Sequence, residues 1–217
     1  MRIVVLVSGG GTNLQAIIDQ IESRALSQVE ITHVISSSPK AFAIDRAKKY
    51  EIPTTVISRK EFKDVKDYDN AMLSALSSSG AELVVLAGFL SLLGPEVVKA
   101  YSNRIINIHP SLIPAFCGHG MYGIRPHEAA IRKGVKVSGA TVHFVNEEYD
   151  EGPILLQKST EVFEEDTPES LQGRIMRECE QEILPAAIRL ISDRRVCIKD
   201  NRTYILPQGT QTSEGKA

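Results

Sequence analysis

The N-terminal segment constrains the fold more than any other. Ile3–Val7 is an unbroken apolar run with no polar face, as expected of a strand covered on both sides. Ser8-Gly9-Gly10-Gly11-Thr12-Asn13 follows at once, and Leu14, Ile17, Ile18 and Ile21 then recur at helical spacing. A buried strand, a glycine turn and an amphipathic helix are the first parts of a parallel βαβ unit. The turn is not G-x-G-x-x-G, because position 14 is Leu, and no Lys-Ser/Thr follows it as in a Walker A loop. What survives is a mono-phosphate site at Gly11, Thr12 and Asn13, where backbone N–H groups and the helix dipole favour an anion. Taken alone, the turn is equally compatible with a tight connection capped by Thr12 or Asn13.

The alternation continues along the chain. Strands are expected at Ile31–Ile35, Pro53–Ile57, Leu83–Ala87 and Ile105–Ile108, with helices at Ala41–Lys49 and Glu61–Leu76. Val137–Val145 and Pro153–Thr160 alternate roughly and have no helix between them, which predicts adjacent antiparallel strands. Thr167-Pro168-Glu169 is a helix start, and the helix should run to about Ser192 with a kink at Pro185. The pattern predicts an α/β fold: a Rossmann-like, doubly wound, mostly parallel sheet with late antiparallel strands and a long C-terminal helix. One domain is expected over residues 1–206, with a mononucleotide-binding half to about 103 and a catalytic half from about 104. The tail, 207–217, has little to anchor it and should be flexible.

Composition narrows the partners. With 25 Lys plus Arg against 27 Asp plus Glu in 217 residues, there is no basic excess for nucleic acid or a membrane surface. The first apolar run is too short for a secretory segment, and the stretch Leu83–Leu93 is broken by Gly88 and Ser91, so a cytoplasmic setting is expected. Cys117, Cys179 and Cys197 are widely spaced and form neither a disulfide framework nor a zinc knuckle. Dimerisation through exposed apolar surface is left open, since no pattern demands it.

Chemistry is concentrated in Ile105–Pro114. Asn107 and His109 lie two apart at a strand end, so their side chains point the same way. An amide that can hydrogen-bond a carbonyl oxygen and an imidazole that can carry a proton are the equipment for stabilising an oxyanion in acyl transfer. A strand-end pair bonding nearby backbone is the plainer alternative. His109, His119, His127 and His143 have no metal-ligand spacing, and there is neither H-E-x-x-H nor G-x-S-x-G. Cys117 carries no nucleophile signature. The acidic loop Asn146–Glu151, turned by Gly152-Pro153, would ordinarily just be solvated. A carboxylate from it beside His109 would raise the imidazole pKa and could hold a water for proton relay.

Together SGGGTNLQAII, VVLAGFL, NIHPSLIP and ATVHFVNEEYDEGPILLQ resemble the glycinamide ribonucleotide formyltransferase family of purine biosynthesis, over essentially the whole chain. The resemblance implies formyl transfer from 10-formyltetrahydrofolate to the primary amine of glycinamide ribonucleotide, with no metal. It assigns Asn107, His109 and Asp150 as the catalytic trio. It places the ribonucleotide phosphate at Gly11, Thr12 and Asn13 and its ribose at Glu180. It places the folate at Leu90, Ser91, Leu92 and Leu93, at Asn107, and at Asn146, Glu147, Glu148, Tyr149 and Asp150. The Glu180 match requires one extra residue within Arg174–Pro185, and a one-residue shift turns a helical side chain by ~100°. Family members often carry Arg at the place of Ser91, and an Arg sometimes used toward the folate tail aligns with Val65, near Lys63 and Lys66. The 115–126 loop is longer than the family's, with Arg125 and His127 at the places of a His-x-His pair. Its glycines at 118, 120 and 123 suggest a mobile flap. The related deformylases and methionyl-tRNA formyltransferases carry an additional domain for which the length is expected to leave no room. A binding module on the same fold, or a hydrolase releasing formate, are the competing readings.

Overall fold

In the computed structural model, which describes residues 1–209, the chain forms two compact units, Met1–Asn107 and one beginning at Ile108. The N-terminal unit alternates strand and helix: β1 (Arg2–Val7), α1 (Thr12–Glu22), β2 (Glu30–Ser36), α2 (Ala43–Lys49), β3 (Thr54–Val56), α3 (Val65–Ser78), β4 (Leu83–Leu86), α4 (Pro95–Ala100) and β5 (Ile105–His109), the last running across the division. Its strands pair in the order β3-β2-β1-β4-β5, all parallel, with Val4 between His33 and Val84 and Leu86 opposite Asn107. Ile3 through Val7 are completely buried, so β1 is the apolar centre of a sheet covered on both faces.

α3 begins at Val65 rather than at Glu61. Asp64 is its N-cap and accepts from Asp67 N at 2.8 Å, while Arg59–Glu61 forms a separate 3₁₀ turn. A carboxylate that takes up an otherwise orphaned N–H outweighs the apolar spacing that Phe62 contributes to the sequence pattern.

The C-terminal unit contains α5 (Arg125–Lys133), β6 (Val137–Phe144), β7 (Ile154–Glu161), α6 (Pro168–Ile175), a π turn (Met176–Glu180), α7 (Gln181–Ser192) and a hairpin of β8 (Val196–Lys199) and β9 (Arg202–Ile205). β6 and β7 pair antiparallel, as expected, from Val137 opposite Glu161 to His143 opposite Ile154. Gly139 and Gly152 are required there: a Cβ would run into Lys158 O at the first and Phe144 O at the second. The long helix starts with a capping box in which Thr167 Oγ1 accepts from Ser170 N and Ser170 Oγ from Thr167 N. α5, α4 and the hairpin go beyond the sequence expectations. The expected flexible tail lies, from residue 210 onward, outside the described residues.

Candidate active site

The glycine turn is shaped by α2. Gly11 is the N-cap of α1 in the left-handed conformation (φ +72°), and a Cβ on it would lie 2.6 Å from Ala43 Cβ. Ala43 N donates to Gly9 O at 3.0 Å, and Arg46 Nε donates to Gly10 O at 2.8 Å. Gly11 stands at the N-cap of α1 and has no side chain with which to cap it. Asn13 is buried and Thr12 exposed. Arg46 also reaches Gln15 Oε1 at 3.1 Å, and its guanidinium lies 5.1 Å over the Phe42 ring. Nothing in the sequence pattern marks this cation, which stands 36 positions from the carbonyl it holds.

Immediately after β4, Gly88 turns the chain at φ +73° into a short segment carrying Leu90 (57% exposed) and Leu92 (59% exposed). Leu90 N donates to Ser8 Oγ at 2.7 Å, and Ser8 Oγ meets Ser37 Oγ at 2.5 Å. Ser91 and Leu93 are half-buried, whereas Lys63 and Lys66 are exposed near the start of α3. A cavity of about 460 Å³ in this unit lies at the opposite ends of the strands, lined by Arg2, Glu82, Tyr101 and Arg104 among others. It is not part of the candidate site.

Asn107 and His109 occupy one face of β5, two residues apart. His109 is 4% exposed. Its Nδ1 lies 3.6 Å from Asp150 Oδ2, and its Nε2 is 3.0 Å from Phe116 O, which assigns the proton to Nε2. The other Asp150 oxygen lies 3.5 Å from His143 Nε2, and Gly118 N donates to Oδ2 at 2.8 Å. Asp150 therefore sits between two buried imidazoles, at a backbone φ of +55° that side chains rarely adopt. Burial alone would raise its pKa, but His143, the His109 charge and the Gly118 amide together hold it below the usual carboxylate value.

The expected protonation of His109 is corrected. Burial dominates and pushes its pKa below 6.5, while the Asp150 carboxylate and the Phe116 carbonyl act in the opposite direction without prevailing. His127, on the first turn of α5, is 1% exposed, and neither of its ring nitrogens has a hydrogen-bond partner among the described residues. Burial and the neighbouring His109 bring its pKa down to about 4. Burial, followed by the Asp150 and Glu151 charges, raises the Cys117 thiol, the reverse of an activated nucleophile.

The loop after His109 hangs on buried hydroxyls. Thr141 Oγ1 donates to Ser111 O at 2.7 Å and accepts from Ile113 N, Gln157 Nε2 donates to Ile113 O, and Ser111 Oγ donates to Ala115 O. The start of the expected flap is thereby placed with Phe116 and Gly118 against the His109–Asp150 pair. Further on, His119 packs edge-on against Tyr149 with ring centroids 5.8 Å apart. Asn146 Oδ1 accepts from Glu148 N, closing the acidic loop on itself; Glu147, Glu148 and Tyr149 are exposed. Glu180 is buried at the end of the π turn. A π turn holds one residue more than an α turn.

The α/β framework thus carries a glycine turn at a helix start, and a strand-end amide followed two residues on by a histidine paired with a carboxylate. The chain belongs to the formyl transferase family, whose profile matches residues 1–188. It is 40% identical to the phosphoribosylglycinamide formyltransferase of Haemophilus influenzae, over 94% of this chain and 93% of that one. It is 34% identical to the enzyme of the same name from Escherichia coli K12, over 99% of this chain and 100% of that one. Its structure is similar to that of glycinamide ribonucleotide transformylase 1 from Symbiobacterium toebii, with a TM-score of 0.89 at 40% identity, covering 95% of this chain and 94% of that one. Among the described residues no group of three or more His, Cys, Asp or Glu is placed to hold a metal ion, and no helix is long and apolar enough to cross a membrane.

Proposed function

We propose that the protein transfers the formyl group of 10-formyltetrahydrofolate to the primary amine of glycinamide ribonucleotide, giving formylglycinamide ribonucleotide and tetrahydrofolate, in the cytoplasm and without a metal. The observation that carries the reading is the Asp150 carboxylate set between His109 and His143, with Asn107 on the same strand face as His109.

The amine nitrogen attacks the formyl carbon directly. As the C–N bond forms, negative charge builds on the formyl oxygen, and Asn107 and His109 are the donors for it. His109 carries its proton on Nε2, toward the Phe116 carbonyl, so substrate takes over a donor that the loop otherwise occupies. Its resting ring is neutral near pH 7. Asp150 faces Nδ1 and lowers the cost of adding a second proton as the oxyanion forms. The carboxylate also holds the water that moves a proton from the incoming amine to N10, and collapse of the intermediate then breaks the C–N10 bond. The phosphate sits on the N–H groups of Gly11, Thr12 and Asn13, the ribose meets Glu180, and the folate is held by Leu90–Leu93 and by Asn146–Asp150.

The test uses purified protein, 10-formyltetrahydrofolate and glycinamide ribonucleotide, with absorbance followed for the folate product. Formylglycinamide ribonucleotide is expected, and methionyl-tRNA is not expected to serve as acceptor. Formate release at an undiminished rate with no amine present would overturn the transferase reading in favour of a hydrolase.

A further inference from the structure

We propose that Asp69 is a positioning residue for the folate subsite: its carboxyl group clamps the far end of the Leu90–Leu93 segment, as Ser8 clamps the near end. This deepens the folate assignment above and rests on it.

Asp69 lies in the middle of α3 and is 1% exposed, where a carboxylate is costly unless it is held by donors. Its donor is the backbone amide of Glu96, in the first turn of α4, 3.2 Å from Oδ2; Oδ1 has no hydrogen-bond partner among the described residues and lies against the Gly94 backbone. A side chain from one helix thus satisfies an N–H at the start of another, a cap supplied from 27 residues away. Gly94 explains why the approach is so close. A Cβ at position 94 would fall inside the Asp69 carboxyl group, although the Gly94 backbone, at φ −80° and ψ 168°, suits any residue. The three atoms nearest to such a Cβ all belong to the Asp69 carboxyl group.

The segment between β4 and α4 is thereby fixed at both ends. At the near end Leu90 N is held by Ser8 Oγ; at the far end Glu96 N is held by Asp69, with Gly94 packed against the same carboxyl group. Between these points Leu90 and Leu92 are each more than half exposed, so packing does less to set their direction than it does for a core side chain. Their placement therefore depends on the two anchors, and an apolar ring docking on them would feel the loss of either.

The steric argument gives a two-way test. Four proteins are compared: wild type, Asp69→Ala, Gly94→Ala and the double variant, with Asp69→Asn as the conservative control. Asp69→Ala is expected to raise the KM for 10-formyltetrahydrofolate by about tenfold, the scale of a lost cap, while leaving the ribonucleotide KM within about twofold. Gly94→Ala is expected to raise the folate KM at least as much in the wild-type background. In the Asp69→Ala background it should change it by less than about twofold, because the space is then open. Asn, which keeps one acceptor oxygen, should recover most of the loss. Equal changes in both KM values, or a Gly94→Ala effect of the same size in both backgrounds, would overturn the clamp. A Tm that falls while both KM values hold would also overturn it, leaving Asp69 a purely structural cap. If wild type lacks turnover, the function fails instead. The same cycle read by tetrahydrofolate calorimetry and thermal unfolding still decides the clamp.

Discussion

The two units solve the problem of holding polar groups in opposite ways. In the N-terminal unit the buried polar residues are Asn13, Ser36 and Asp69, whereas from Ile108 onward they are His109, Ser111, His127, Ser138, Thr141, His143 and Glu180. The first unit is an apolar sheet that presents backbone at its strand ends, through Gly9–Asn13 and Gly88–Gly94. The second buries imidazoles, hydroxyls and carboxylates, most of them set against one another, with the His127 ring left without a hydrogen-bond partner among the described residues. Anchoring a phosphate or a flat ring needs geometry, which backbone supplies. Moving protons needs groups whose proton affinity is tuned, and burial tunes it. Apart from Asn107, the first unit's last residue, which shares a strand face with His109, changes in the first unit should therefore appear mainly in KM, and changes in the second in kcat and in the pH dependence of stability.

The sharpest break would come from the oxyanion donors. Loss of one such donor typically costs on the order of 10²–10³ in rate. Asn107→Ala and His109→Ala should each lower kcat by that factor, with KM for the ribonucleotide changed by less than about threefold. Near-wild-type turnover in His109→Ala would remove the chemistry from the second unit altogether.

His127 gives the next largest effect, and it concerns stability. Its folded pKa of about 4 lies below the value near 6.5 of an unfolded histidine, so the unfolded chain binds the proton more readily between those limits. Its contribution is intact above pH 6.5 and is lost as pH falls toward 4, by about 3 kcal/mol in total. Urea unfolding of His127→Asn across pH 7 to 4 should show a correspondingly flatter decline than wild type. Parallel curves for the two proteins would mean that the imidazole is not held neutral by its surroundings.

The contrast between the units also accounts for what could be read from the sequence. The parallel strands were legible because they are rich in β-branched and apolar residues, and Ile3–Val7, an unbroken apolar run, needs no further information. The Asn107–His109 pair was legible because strand geometry fixes residues two apart on one face. The fall in His109 pKa was not, since it depends on how completely the chain closes over the ring, which spacing does not encode. Ser111, Thr141 and Gln157 escaped notice for a related reason: isolated polar residues acquire a role only once the 110–116 loop folds against them. The hairpin β8–β9 did have a signal, in Asp200-Asn201 between two short β-rich runs, and both residues take the positive φ of a two-residue turn.

Gly11→Ala tests the first unit's dependence on backbone. The left-handed conformation costs a non-glycine residue roughly 1–2 kcal/mol, and the crowding against Ala43 adds to it. A lower Tm with a raised ribonucleotide KM and a nearly unchanged kcat is expected. Gly9→Ala and Gly10→Ala, whose new methyl groups meet nothing within 4 Å, should be far milder. If all three behave alike, the turn is tolerant and its exact path does not set phosphate binding.

Arg46 offers the smallest effect and the most pointed one, because it is a side chain that, like Ser8 and Asp69, fixes the backbone through which the first unit works. Its bonds to Gly10 O and Gln15 Oε1 fix the carbonyl side of the turn, leaving the amide side to face a ligand. Hydrogen bonds of this kind contribute roughly 0.5–1.5 kcal/mol each. Arg46→Met should therefore raise the ribonucleotide KM by about fivefold and leave the folate KM and kcat within about twofold. Arg46→Lys distinguishes the two ways the residue could act. It keeps the positive charge but lacks the planar fork that holds two acceptors at once. If Lys restores the KM, charge near the phosphate is what matters, and its benefit should shrink as salt rises. If Lys fails as Met does, the guanidinium acts by holding the turn in shape, and the first unit's reliance on backbone geometry extends to the side chain that fixes it.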